Sequence, residues 1–241
     1  MDKHTRGLVF LESFLGNFLF SICLLFGVRE ASAMVTGVLM AGIPAAVAVL
    51  SWLFLRERIA PKVRVGIALS VVGIALVALD RGGADQTGTP TTLRGALLVL
   101  AAVFCEASYV VIGKRLTQNL SPKRISALIN LWGLVLVTPL GLWQALEFDF
   151  EAVSSRSWGL LLFYALAAST ATVWLWMRGL RHVPAAQAGV FMVFLPVSTA
   201  VVGLVALGES ISAVQSLAYA TALAGVLLAS WPAPGRPQSQ R

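Results

Sequence analysis

The sequence predicts an all-α polytopic membrane protein, and three observations predict it. Of its 241 residues, 58% are hydrophobic and only 12% charged, and the mean hydropathy is +0.83, far from the mixture a water-soluble domain carries. The apolar residues form about eight continuous stretches of roughly 18–23 residues, each long enough to cross a hydrocarbon core of about 30 Å. A block of sequence also recurs at a fixed offset, so the stretches are organised as repeats. A membrane β-barrel is excluded, because the runs are continuously apolar and twice the length of a barrel strand.

Taken in order, the spans are α1 over 8–28, α2 over 33–55, α3 over 63–79, α4 over 94–113, α5 over 124–146, α6 over 158–178, α7 over 184–207 and α8 over 213–231. The first is a span and not a cleavable leader: it is long, contains Glu12 and Asn17, and runs into α2 without a small-residue cleavage pattern. Between α3 and α4, Asp80 to Thr92 is a Gly- and Thr-rich linker, and Ser121-Pro122 is a good start for α5. The net charge of +7 does not mark a nucleic-acid surface, because the basic residues are spread over short loops. With the N-terminus cytoplasmic, all 18 Lys and Arg except Arg29, Arg81, Arg94 and Arg156 fall inside, which places both termini in the cytoplasm. The acidic loop of Glu147, Asp149 and Glu151 then lies outside.

The block beginning at Gly27 aligns without a gap on the block beginning at Gly179, at a constant offset of 152 residues between Glu57 and Glu209. The same offset pairs Arg29 with Arg181, Gly37 with Gly189, Met40 with Met192, Pro44 with Pro196 and Gly73 with Gly225. Spans α1 to α3 therefore correspond to α6 to α8. Because α1 and α6 run in opposite directions across the bilayer, the repeat is inverted. The division is an incomplete first repeat at 1–80, an external linker at 81–93, a second repeat of five helices at 94–231 and a cytoplasmic tail at 232–241. The second copy has α4 and α5 ahead of its repeated block, where the first has only Met1 to Gly7. A complete ten-helix, five-plus-five form would need two more spans, roughly 60 residues with their loops.

The doubled pattern, Pro44 with Glu57 in Leu-Arg-Glu-Arg-Ile and Pro196 with Glu209 in Leu-Gly-Glu-Ser-Ile, resembles the EamA-type branch of the drug/metabolite transporter superfamily. Arg56 stands where that pattern usually has Gly. The resemblance runs from about residue 7 to 231 and implies export or exchange of amino acids, metabolites or drugs.

Several residues are candidates for a transport path. Pro44 and Pro196 lie inside spans, where each kinks its helix and frees the carbonyl four residues earlier, on Met40 and Met192. Such carbonyls should face protein or a water-filled cavity. Ala33, Gly37, Ala41 and Ala45, with Ala185 and Gly189 in the second copy, form small-residue packing faces. Glu106 lies near the middle of α4, with Tyr109 and Gly113 on the same face. It is a candidate proton-coupling group, a counter-ion for a cationic substrate, or a protonated structural hydrogen-bonding group. Glu12 lies nearer the cytoplasmic end, within reach of water, and ranks below it.

Asn17 and Ser169 are equivalent under the offset and, with Thr172 and Trp176, could line a path or hydrogen-bond between helices; Asn130 is a weaker candidate. Trp132, Tyr164 and Trp174 could supply an aromatic wall or serve as interfacial anchors. Glu57 and Glu209 close their spans and are placed to cap the start of the following helix.

These features point to a secondary exporter working by alternating access. Its partners would be a small-molecule substrate and the bilayer, with no nucleic acid and no cofactor, and homo-oligomers left open. No metal-ligand spacing is present, since Cys23 and Cys105 lie inside spans and His4 and His182 in loops. A membrane hydrolase would need a nucleophile and base within the spans, and an ATP-driven pump a phosphate-binding loop. The alternative is a truncated homologue, or a subunit whose partner supplies two helices.

Overall fold

The computed structural model describes residues 1–84, 91–206 and 212–231. Among them lie eight helices long and apolar enough to cross a membrane: α1 Lys3–Arg29, α2 Val35–Leu55, α3 Pro61–Asp80, α4 Leu93–Leu116, α5 Pro122–Ala145, α6 Ser155–Leu180, α7 Ala185–Val202 and α8 Ala213–Ser230. Helix starts follow local chemistry. Asp2 accepts the Thr5 N–H, Ser32 that of Val35, Thr92 that of Gly95 and Ser154 that of Ser157, each satisfying an orphan first-turn donor. Ser212 and Gln215 form a reciprocal capping box on α8. Pro122 opens α5 as the sequence suggests, although the Ser121 side chain makes no capping bond there.

Two spans begin or end further out than hydropathy indicates. The Asp2 cap starts α1 at Lys3, five residues before the expected position, and the helix of α3 continues to Ala84, into the stretch expected as linker. Glu209, expected to cap a helix, and the expected tail at 232–241 lie outside the described residues.

Small residues set the packing. A Cβ on Gly66 would stand 2.7 Å from the Gly225 carbonyl oxygen, and one on Gly225 2.6 Å from that of Gly66, so α3 and α8 meet backbone to backbone. Gly73 meets the Ala218 carbonyl in the same way. The 152-residue offset maps Gly66 on Ala218 and Gly73 on Gly225, which exchanges one contact for the other. Gly37, from the small-residue stripe of α2, packs on Ala78 of α3, and Gly189 of α7 packs on Val47.

Helix α1 runs antiparallel along α4: Glu30 meets Gly95, Gly27 meets Val99, Gly16 meets the Tyr109 ring, and Glu12 meets Gly113. The Glu30 end of this seam is fastened by the Thr92 N–H on the Glu30 carbonyl at 2.8 Å and by an ion pair with Arg94 at 3.4 Å. Helix α4 is the inner element, with 44% of its apolar window buried against 6% for α6. The large side chains that remain exposed, such as Leu131, Val135, Leu162 and Phe163, are those a hydrocarbon surrounding stabilises.

Candidate functional site between α1, α5 and α6

The spans are not uniformly α-helical. A π-helical segment, Phe14–Leu19, interrupts α1, and another, Ala165–Thr172, interrupts α6. The offset superposes them, and Asn17 and Ser169 sit in the two segments. Single π turns displace backbone groups from the ordinary ladder and recur where helices carry function. Here both segments border one cavity of about 560 Å³, lined by Asn17, Ser21, Asn130, Gly133, Tyr164 and Ser169 among others.

Its polar groups are ordered. Asn130 Nδ2 donates to the Ser169 carbonyl at 2.8 Å and to the Ser126 carbonyl of its own helix at 2.8 Å. Gly133, one turn further along α5, leaves room for the Asn17 amide, whose Nδ2 lies 3.7 Å from where a Gly133 Cβ would stand. Ser13, buried at the seam with α5, donates to the Ile129 carbonyl at 2.9 Å. Asn17, Asn130 and Ser169 are thus brought together, while Thr172 and Trp176 are not. Those two line a separate, apolar cavity of about 470 Å³ with Leu180, Ala188 and Phe191, and the Trp176 Nε1 is buried there without a hydrogen-bond partner.

The aromatic wall does not assemble. Tyr164 lines the first cavity, but Trp132 stacks edge-on against Phe10 with ring centroids 5.1 Å apart, and the Trp174 ring lies under the Arg178 guanidinium. The spans bearing Pro44 and Pro196 are each interrupted just ahead of that proline: α2 by a turn at 41–42 and α7 by a tight turn at Phe191–Val193. The carbonyls freed by Pro44 and Pro196 do not open on the cavity. Met192 lies in the buried cluster with Val47 and Ala188, and Met40 packs against it.

Glu57 does cap a helix, but not the following one. Its carboxylate accepts the Ala185 N–H at 3.0 Å and the Ala186 N–H at 3.2 Å, at the start of α7 in the other repeat. Arg56, in left-handed backbone at φ 54°, makes the turn that points it there.

Glu106 is half-buried on α4, three residues from Tyr109, whose ring packs on Gly16 beside the cavity. Glu12, ranked below Glu106 from sequence, is fully buried. It lies only four residues, about 6 Å along the axis, from the middle of the Lys3–Arg29 span. Its burial went unforeseen because the true helix start adds more than a turn beneath it. The signal available in sequence was Gly113, the gap that accommodates it.

An eight-span helical bundle with ordered amide and hydroxyl groups around an open cleft between spans is the architecture of a polytopic membrane transporter. The chain belongs to the EamA-like transporter family, whose sequence pattern matches residues 2–79 and 93–231. It is 35% identical over 228 residues to the uncharacterized transporter YetK of Bacillus subtilis, an alignment that spans 95% of this chain and 69% of that protein. It is also 25% identical to the uncharacterized transporter YyaM of the same organism, over 90% of this chain and 70% of the relative. A solved crystal structure shares the fold at a TM-score of 0.76 and 17% identity, over 92% of this chain and 75% of that one.

Proposed function

We propose that the protein is a secondary transporter that exports small polar metabolites, amino acids or drugs across the cytoplasmic membrane, with both termini cytoplasmic and the two inverted repeats rocking in alternating access. The observation that carries this reading is the cavity between α1, α5 and α6, where Asn17, Asn130 and Ser169 meet at two π-helical segments. Half-helices with displaced backbone groups near the bilayer midplane are how transporters bind solutes inside lipid. A volume of about 560 Å³ suits a small metabolite. The lining contains amides, hydroxyls and aromatic rings and no charged side chain among the described residues, which favours a substrate without net charge, zwitterions included. Glu106, with Tyr109, stands on the α4 face behind this cavity as a coupling group.

The test is efflux from cells expressing the chain across a panel of labelled amino acids, nucleosides and drugs, with and without a proton gradient. Asn130→Ala removes the tie that holds the Ser169 carbonyl at the cavity wall and should slow efflux of the transported solute by about tenfold, the worth of one such hydrogen bond. Leu162→Ala, on the lipid side, should leave it unchanged. Equal rates for wild type and Asn130→Ala would refute the cavity assignment, and no efflux of any solute would refute transport.

A further inference from the structure

Among the described residues, Glu12 is the single carboxylate, ammonium or guanidinium group that is fully buried. Neither of its oxygens has a hydrogen-bond partner. The carboxyl fills a slot that exists because residue 113 is glycine. A Cβ there would stand 2.8 Å from Glu12 Oε1, 3.1 Å from Met177 Cε and 3.2 Å from Leu180 Cδ2. The slot is therefore walled by α1, α4 and α6, the first and last of which also line the cavity.

Among the described residues no cation neutralises it. Lys114, next to Gly113, sends its ammonium to the carbonyls of Leu180 at 2.9 Å and Arg181 at 3.2 Å, and the Arg178 guanidinium lies over Trp174. Arg115, Lys123, Arg124, Arg181 and His182 are exposed at the helix ends. The polar groups on the same face of α4 as Gly113 are Tyr109 and Glu106, neither of which brings a positive charge. An unpaired carboxylate in such a slot is too costly to persist, and the group takes a proton instead. Sodium would need several oxygen ligands, whereas the slot offers the methyl groups of Met177 and Leu180.

We propose that Glu12 is a proton-binding site of the transporter. Its carboxylate takes one proton from water to become a neutral carboxylic acid as the α1–α4–α6 seam closes, and returns that proton to water when the seam parts. Tyr109 and Glu106 continue the strip two turns along α4, toward the cavity. The inference rests on the transport reading and gives it a driving ion.

Infrared spectra of the purified full chain at neutral pH should contain the C=O stretch of a protonated carboxyl that Glu12→Gln removes and Asn130→Ala leaves in place. Gly113→Ala, which adds a methyl against the carboxyl, should shift that band. Helical circular dichroism and a single gel-filtration peak check that each variant folds. A wild-type spectrum without the band, or a band that survives Glu12→Gln, overturns the proposal. In vesicles, Glu12→Gln should keep solute-for-solute exchange while losing proton-driven efflux at least tenfold, and unchanged proton-driven efflux also overturns it. A panel with no transported solute would sink the transport reading, while the infrared result would still decide whether Glu12 holds a proton.

Discussion

Arg56 occupies the one left-handed non-glycine backbone position among the described residues. An L side chain there is destabilising by about 1–2 kcal/mol, and helix ends of this geometry favour glycine. The second repeat has glycine at the equivalent position, 208. Arg56 is exposed, so Arg56→Gly should lose no packing and should stabilise the protein by about 1 kcal/mol, read as a higher thermal midpoint in detergent. A lower midpoint would show that the guanidinium contributes more than the strain removes. The departure was visible in the sequence as a broken pattern, and its conformational reason was not. Glu57 was similarly legible as a cap, but which helix it caps depends on tertiary placement 128 residues away. Glu12 was misjudged because depth was counted from the hydropathy edge at residue 8, and a polar first turn held by the Asp2 cap carries no hydropathy signal.

At the scale of the helix, hydropathy located all eight spans and the repeat paired them, yet neither revealed the π segments. A π turn is a change in backbone hydrogen bonding that many side chains accommodate. Only the matched positions of Asn17 and Ser169 hinted that the two places are alike. The α3–α8 contact is different, since a glycine spaced for close approach is a readable sign. Gly225→Val would press a branched side chain onto the Gly66 carbonyl and the Ser70 backbone N–H, 3.0 Å from the Cβ position. It should destabilise the bundle by a few kcal/mol, measured as loss of the monodisperse gel-filtration peak at lower temperature. Gly7→Ala, where a Cβ meets nothing within 4 Å, serves as the control. Equal stability of the two variants would show that α3 and α8 separate without cost.

For the whole molecule, orientation can be read with thiol labels. Cys23 and Cys105 are each 6% exposed, so the native background should react slowly with a membrane-impermeant maleimide. Gln118→Cys and Glu147→Cys place new thiols on exposed positions at opposite ends of α4 and α5. In intact cells the reagent should label position 147 and spare 118 until the membrane is opened, and the reverse order would invert the proposed topology. That expected order rests on the distribution of Lys and Arg along the sequence. The sequence could not reveal that the Asn130 amide spans from α5 to α6, because that contact depends on the displaced Ser169 carbonyl.

The Glu57 tie also has a consequence in time. Ala185 is added to the growing chain 128 residues after Glu57, which at ribosomal speeds is a delay of about ten seconds. Throughout that interval the carboxylate has no α7 amide to receive. The loop at 56–60 therefore takes its final form only when the seventh span arrives, so the early half of the nascent protein waits on the late half for its last interhelical clasp.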